Sequence, residues 1–174
     1  MEPGLKEGAF YDPTNFTFPA GAYICELDID PGTGKTTFVN FVAADDFGRL
    51  INPMIVDGQI HGGIAQGIGN ALLEEIVYDQ TGNILTSTLA DYLPPTAHEI
   101  PPIELHHLET VSDASITRAK GVGEGGAIGA PAAVINAIND AIAPFGAEIN
   151  EIPATPQRIR AAIQAASQRA EQRA

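Results

Sequence analysis

The sequence predicts an α+β fold in which β-hairpins and mixed strands pack against two glycine- and alanine-rich helices and a C-terminal helix. Short β-branched and aromatic runs are bounded by turn signals, which is typical of hairpins. Longer segments repeat apolar residues every three or four positions, which is typical of helices. The 174 residues are enough for one domain with its own core, so we treat residues 1–174 as a single unit.

The first predicted elements are an extended arm and a β-hairpin. Residues 1–21 contain glycine, proline and four aromatic residues without a steady period, so we expect an arm whose rings need a packing partner. Residues 22–30 and 35–44 are strand-like and flank the turn at 31–34. The Gly-Lys-Thr after that turn resembles the end of a phosphate-binding loop. The leading glycine of that motif is absent, and a strand-like run follows instead of a helix, so we exclude a nucleotide site.

A glycine-rich helix is predicted within residues 57–75, where apolar residues keep a four-residue step. The residues in step are Ile60, Ile64, Ile68 and Leu72. Glycines interrupt the segment, and each weakens a helix by up to ~1 kcal/mol relative to alanine. Such a helix needs close approach by a ligand or by another element, and tight packing is the simpler explanation.

A second hairpin is predicted where residues 76–78 and 83–86 flank a turn. The proline-rich stretch 91–102 reads as an irregular crossing, and residues 103–110 as a strand. His106 and His107 are adjacent on that strand and face opposite sides, so they cannot bind one metal together.

Two further helices complete the predicted fold. One begins near Pro131, repeats apolar residues through Ile142 and stops before Gly146. The C-terminal helix has Thr155 as its N-cap and covers residues 157–170. We expect its last part, 167–174, to fray.

The loop that leads into the helix near Pro131 holds one carboxylate, Glu124, among several glycines. These are Gly121, Gly123, Gly125, Gly126 and Gly129. A loop entering a helix N-terminus offers free N–H groups and the positive end of a dipole. From spacing alone, a solvated turn glutamate before an ordinary helix explains the pattern better than a functional site does.

Composition narrows the classes of function. The net charge of −13 argues against nucleic acid and anionic membranes as partners, although solubility alone explains it. The single cysteine, Cys25, rules out an internal disulfide and a thiolate cluster. No metal site built from side chains is expected. With neither a membrane span nor a signal peptide in the sequence, we expect a cytoplasmic protein.

Several segments together resemble the C-terminal part of the molybdopterin-binding large subunit of the xanthine oxidase and aldehyde oxidase family. Within it, the aerobic carbon monoxide dehydrogenase branch is most similar. The matching stretches are 9–13 with 15–16, 45–49 with 52–53, 58–63 with 66–69, 91–92, 120–124 and 153–156. They occur in order over almost the whole chain. The resemblance implies that the chain is part of a larger molybdopterin-binding domain.

The resemblance also implies chemistry. In that family a pterin dithiolene holds the molybdenum, and the glutamate matching Glu124 takes a proton from a metal-bound hydroxyl. Gln59 then contacts the pterin, and the loop Lys120, Gly121, Val122 and Gly123 lies against the cofactor. The expected function is a molybdenum hydroxylase, an oxidoreductase that uses water as its oxygen source. The expected cofactor is molybdopterin, plain or as its cytosine dinucleotide.

The family's large subunit is several times longer than this chain, so we expect a fragment or split subunit that is inactive alone. Expected partners are the remainder of the large subunit, subunits carrying iron–sulfur clusters and FAD, and a small-molecule substrate. Carbon monoxide, an aldehyde and a heterocycle all remain open as substrates. The alternative is a non-catalytic assembly or interaction module derived from the same fold.

Overall fold

A computed structural model describes residues 4–13 and 15–172 of the protein. It contains the strands β1 (Ala20–Ile29), β2 (Thr36–Asp46) and β3 (Ile103–Leu108). The helices are α1 (Pro53–Leu72), α2 (Ala130–Ile142) and α3 (Pro156–Glu171), and a short 3-10 turn (Ala143–Phe145) follows α2. The predicted α+β class is confirmed.

The three strands form one sheet in the order β1-β2-β3. The β1–β2 pair is the predicted antiparallel hairpin, with a β-bulge between Glu26 and Leu27. The turn of this hairpin is followed by the strand β2 and not by a helix, which agrees with the exclusion of a nucleotide-binding loop there. The β2–β3 pair is parallel, so the chain crosses over through α1 before it returns to the sheet.

Helix α1 begins four residues earlier than the sequence analysis placed it. An Asn-Pro pair is typical of a turn, but here Asn52 is the N-cap and its side chain accepts a hydrogen bond from the Ile55 N–H. Pro53 occupies the first turn, where its missing N–H costs nothing. Asn52 and Pro53 therefore start the helix.

The core lies between one face of the sheet and the helices. The predicted four-residue step is confirmed, since Ile60, Ile64 and Ile68 of α1 are completely buried. Other fully buried side chains come from β2, α2 and α3: Phe41, Val134, Ile138, Ile142 and Ile159. Helix α2 packs on both β1 and α1, which places its N-terminal end beside the start of the sheet.

Helices α2 and α3 follow their predicted end signals. Gly146, with φ of 67°, ends the turn after α2, and the Thr155 side chain accepts a hydrogen bond from the Arg158 N–H. Helix α3 runs to Glu171 and thus extends into the stretch predicted to fray from 167. Ser167 Oγ donates to the Ile163 carbonyl at 3.1 Å, and Ala166 is buried, which stabilises this end. Residues 173–174 lie outside the described part of the chain.

The remaining predictions concern irregular segments. The second hairpin is reduced to one bridge, between Tyr78 and Ile84. The Asp79 carboxylate accepts hydrogen bonds from the turn that follows it, which keeps the turn tight without extending the strands. The described arm residues 4–13 and 15–19 contain neither helix nor strand, and β1 begins at Ala20, two residues inside the predicted arm. Residues 1–3 and 14 of the arm fall outside the description.

A membrane span and a metal site built from side chains are two features that the sequence does not predict. No helix there is long and apolar enough to cross a membrane. The same residues hold no cluster of three metal-ligating side chains. His106 and His107 bond separately, to Glu104 and Asp57, from opposite faces of β3.

Candidate active-site cleft at the Glu124 loop

A cleft of about 610 Å³ opens where the arm, the hairpin and the loop before α2 meet. Its wall comprises residues 17–21 and Tyr23 from the arm and β1, Asp45 and Phe47 at the end of β2, and Gly121, Gly123, Glu124, Gly125, Ile128 and Gly129 from the loop. No lysine or arginine lines it among the described residues. Its charged groups are the two carboxylates of Asp45 and Glu124.

The backbone on either side of Glu124 is held by short-range turns. The Gly125 N–H donates to the Val122 carbonyl at 2.9 Å, and the Ala127 N–H donates to the Glu124 carbonyl at 3.2 Å. Gly126 has φ of 85°, which side chains rarely adopt. The Glu124 side chain is exposed and makes no hydrogen bond or ion pair to any described residue. A fixed backbone therefore presents an uncommitted carboxylate to the cleft.

Helix α1 approaches this loop so closely that a glycine is required. A Cβ on Gly63 would lie 2.2 Å from the Gly125 carbonyl oxygen. A Cβ on Gly125 would in turn lie 2.7 Å from the Phe47 ring. The loop is thus packed between α1 and the residue that follows β2, and the glycine-rich character of α1 is explained by backbone contact.

Gln59 lies on the exposed side of α1 and reaches the same loop. Its Nε2 donates to the Gly123 carbonyl at 2.6 Å. Gln59 therefore contacts the loop that carries Glu124, although it is not part of the cleft wall. Its contact with the pterin stays a prediction.

Lys120 and Val122 point away from the cleft. The Lys120 ammonium lies 3.1 Å from Asp46 Oδ2, and both side chains are nearly buried. Val122 packs against the hydrophobic core. Within the predicted stretch, alternate residues have different tasks: Lys120 and Val122 anchor the loop, and Gly121 and Gly123 are open on the cleft side.

Two residues of the cleft were not identified from the sequence. Tyr23 lies in the predicted strand 22–30 and Asp45 in the matching stretch 45–49, and the sequence predicts no site role for either. The Tyr23 hydroxyl donates to Asp45 Oδ1 at 2.8 Å and accepts from the Gly126 N–H at 3.0 Å. Burial, followed by the hydrogen bond to Asp45, raises the pKa of Tyr23 to about 12, so the hydroxyl keeps its proton. The one sequence signal was the acidic pair Asp45-Asp46 at the end of an apolar strand.

Asp45 itself is 3% exposed, and its Oδ2 has no partner among the described residues. Burial raises the pKa of its carboxyl, while the Tyr23 hydrogen bond and the nearby His107 oppose that rise. Buried carboxylate oxygens are rarely left without a partner. Asp45 is therefore an energetically costly group that lines the cleft.

The loop offers free backbone donors to a ligand, as the resemblance to the molybdopterin-binding family implies. Among the described residues, the N–H groups of Gly121, Val122, Gly123 and Glu124 have no acceptor. Consecutive free N–H groups on an open loop bind polar or anionic ligand atoms. The described residues hold no group of three or more side chains that could ligate a metal ion. The free N–H groups of the loop fit an organic cofactor with polar or anionic atoms.

The cleft and its free donors are suited to a ligand, and comparison with known proteins identifies the class of the chain. Residues 1–101 match the family described as molybdopterin cofactor-binding domain, so the chain belongs to that family. The match includes Gln59, Tyr23 and Asp45, and it ends before Glu124.

Individual relatives extend the similarity through the Glu124 loop. The chain is 44% identical to the nicotine 6-hydroxylase large subunit of Paenarthrobacter nicotinovorans and 43% identical to the carbon monoxide dehydrogenase large chain of Hydrogenophaga pseudoflava, each over 91% of this chain and 20% of the relative. The predicted resemblance to these large subunits is confirmed. The chain spans about a fifth of the length of the curated relatives it matches.

Solved structures agree in fold. Quinoline 2-oxidoreductase from Pseudomonas putida 86 superposes with a TM-score of 0.87 at 47% identity, over 90% of this chain and 20% of that one. Carbon monoxide dehydrogenase from Oligotropha carboxidovorans gives a TM-score of 0.88 at 39% identity, over 92% and 20%. The predicted membership of a larger molybdopterin-binding architecture is consistent with these superpositions.

Proposed function

We propose that this chain supplies one wall of the active site of a molybdenum hydroxylase and that Glu124 is its catalytic base. The observation that carries the proposal is the exposed, unpartnered Glu124 carboxylate on a backbone packed between α1 and Phe47. A carboxylate that is free to accept a proton and fixed in position meets the geometric requirement for general-base catalysis.

In this proposal molybdopterin, plain or as its cytosine dinucleotide, binds along the open side of the loop. When bound, it supplies the redox chemistry and, with water, the oxygen for the product. The free N–H groups of Gly121 and Gly123 hold it, and Gln59 keeps the loop in place through the Gly123 carbonyl. Lys120 and Val122 contribute by anchoring the same loop to the fold.

The role of Glu124 is to accept a proton inside a cleft whose arm side is apolar. Phe18, Pro19 and Ala20 contribute that apolar side. The glycines on both sides of Glu124 bring no side chains of their own, so the carboxylate meets the substrate without steric competition. A small uncharged substrate suits this wall better than an anion, because both charged groups of the cleft are carboxylates.

The whole enzyme needs more than this chain. Because the chain covers about a fifth of its relatives, we assign it the remainder of a large subunit as partner, together with subunits that carry iron–sulfur clusters and FAD. We also propose that the chain alone does not turn over substrate. A cytoplasmic location stays a prediction.

The test of Glu124 uses the chain assembled with the rest of its large subunit and its partner subunits. Since general-base catalysis contributes at least about 100-fold to the rate, Glu124→Gln should lower kcat by roughly that factor at unchanged molybdenum content. Glu148→Gln, at an exposed loop glutamate after α2, is the matched control and should keep wild-type kcat. Wild-type turnover by a molybdenum-loaded Glu124→Gln protein would remove Glu124 as the base.

The second candidate function is an assembly module without catalysis. It is favoured by the exposed rings of the arm, since Phe10 is fully exposed and Phe16 is 81% exposed. The same preparation separates the two functions. An assembled complex that binds no molybdopterin while the chain still holds its partners would support the assembly module.

A further inference from the structure

We propose that Tyr23 is a positioning residue for Glu124 and that Asp45 fixes Tyr23 in that task. This inference rests on the proposed role of Glu124 as the base. It assigns a task to two side chains that the cleft contains but that base catalysis by Glu124 does not itself use.

Tyr23 reaches the loop from a strand that is 103 residues away in sequence. Its hydroxyl accepts the Gly126 N–H at 3.0 Å, two residues after Glu124. Its ring lies against Gly129, where a Cβ would come within 2.2 Å of the ring. The tyrosine therefore holds the loop at two points beyond Glu124, one polar and one by packing.

The hydroxyl can accept from Gly126 in a fixed direction only while its own proton is directed elsewhere. Asp45 Oδ1 takes that proton in a hydrogen bond of 2.8 Å. The two hydrogen bonds thus run in one direction, from the Gly126 amide to the Tyr23 hydroxyl and from that hydroxyl to the Asp45 carboxylate. Polarisation along such a series strengthens each hydrogen bond.

The task of holding Tyr23 also explains why a buried, partly unsatisfied carboxylate stands at position 45. The aspartate is 3% exposed, and its Oδ2 has no partner among the described residues. Hydrophobic packing alone favours an apolar residue at this position. Among the described residues, the hydrogen bond that the Asp45 side chain makes is the one to the Tyr23 hydroxyl. We therefore assign to Asp45 the task of orienting that hydroxyl.

Glu124 depends on this arrangement because Tyr23 supplies the acceptor for the Gly126 N–H, which the other supports of the loop do not. Gly63 and Phe47 confine Gly125 by packing, and Gln59 bonds to the Gly123 carbonyl. Gly126 has a positive φ, and without the Tyr23 bond its N–H has no acceptor. Loss of the hydroxyl therefore loosens the backbone at Gly126, two residues from Glu124, and small displacements of a catalytic group lower the rate strongly.

The experiment compares Tyr23→Phe, which keeps the ring, with the wild-type protein assembled with its large subunit. The variant removes both hydrogen bonds of the hydroxyl, the one to Asp45 and the one from the Gly126 N–H. Within the segment 122–129, exchange of the hydrogen-bonded amides of Gly125, Gly126 and Ala127 should therefore accelerate on the order of tenfold. At unchanged molybdenum content, kcat should fall by roughly tenfold with KM within about twofold, since the base is misplaced but substrate contacts stay.

Tyr92→Phe is the matched control because Tyr92 also bonds a carboxylate, that of Glu74, outside the cleft. It should leave exchange of 122–129 and kcat unchanged. Asp45→Asn keeps an acceptor for the Tyr23 hydroxyl, so it should retain most of the protection of the loop. Unchanged exchange in Tyr23→Phe, or equal acceleration in Tyr92→Phe, would overturn the positioning role.

Failure of this inference is distinguishable from failure of the proposed function. An inactive Glu124→Gln together with a wild-type Tyr23→Phe would leave Glu124 as the base and reject the positioning residue. An active Glu124→Gln would reject the base, whatever the exchange data show, and the positioning proposal would fall with it.

Discussion

Two adjacent aspartates at the end of β2 show how far the environment of a single residue decides its chemistry. Asp45 faces the cleft, and burial raises the pKa of its carboxyl. Asp46 is also desolvated, but hydrogen bonds from Thr110, Gly48 and Lys120 outweigh burial and hold the pKa of its carboxyl well below the usual range. The pKa values of these two neighbouring carboxyls therefore shift in opposite directions, because successive side chains of a strand lie on opposite faces.

The Asp46–Lys120 pair gives a prediction for stability. Removing one partner of a buried ion pair typically costs about 3 kcal/mol or more, so Asp46→Asn should lower the free energy of unfolding by about that amount at pH 7. Urea denaturation at pH 7 measures the change. Asp113→Asn breaks the exposed pair with Arg118 and should cost less than about 1 kcal/mol.

The same pair predicts a dependence on pH. Because the folded-state pKa of Asp46 lies below its unfolded value, near 3.9, its stabilising contribution is present above about pH 4 and is lost as the pH falls further. Between pH 5 and pH 2.5, wild-type protein should lose more free energy of unfolding than Asp46→Asn. Parallel losses in the two proteins would contradict the assignment of Asp46 as the carboxylate responsible.

At the scale of elements, the contact between α1 and the Glu124 loop depends on which side of the helix a glycine occupies. Gly62 and Gly63 are neighbours, yet a Cβ on Gly62 meets nothing within 4 Å and one on Gly63 meets the Gly125 backbone. The two glycines have the same intrinsic helix propensity, but only at Gly63 would a side chain collide with the loop.

This difference yields a paired prediction. Gly63→Ala should lower the free energy of unfolding by roughly 1–3 kcal/mol, because the new methyl group forces the loop backbone to move. Gly62→Ala should raise it by up to about 1 kcal/mol through helix propensity alone. Thermal or urea unfolding of both variants measures the two changes in the free energy of unfolding, which should have opposite signs. An increase in the free energy of unfolding of Gly63→Ala would show that the loop backbone moves away from the new methyl group at no cost, and would contradict the prediction.

The elements themselves were largely predictable from local signals. The hairpin turn at 31–34, the apolar step of α1 and the Thr155 cap of α3 depend on residues close in sequence. The start of α1 was misplaced because Asn-Pro ends some structures and begins others, and only the cap bond to the Ile55 N–H distinguishes the two. The second hairpin was overpredicted because strand propensity is weak without a packed face.

At the scale of the whole molecule, one face of the sheet and the arm remain uncovered. Ile24 is 69% exposed and Val39 is 52% exposed on the face away from the helices, and the arm adds Leu5 and Phe10. Large exposed apolar surfaces mark sites of interaction. The exposed apolar surface expected for a piece of a larger domain is present.

The arm provides the prediction at this scale. Amides of residues 4–13 and 15–19, which lie in no helix or strand, should exchange within seconds in the isolated chain and become protected in the assembled large subunit. Hydrogen exchange read by mass spectrometry measures both states, with the buried stripe of α3 as a control that is protected in each. Equal exchange of the arm in both states would argue against its docking in the assembly.

The sequence by itself determined the α+β class, most helix boundaries, the burial pattern of α1 and the family, because caps, turns, periodicity and ordered motifs are local properties of the chain. It also singled out Glu124 and Gln59 through the resemblance. Only the tertiary structure decided that Tyr23 and Asp45 belong to the same cleft, that Lys120 is committed to Asp46, and that Gly63 differs from Gly62. Each of these depends on contacts between distant segments, whose energies exist only after the chain has folded.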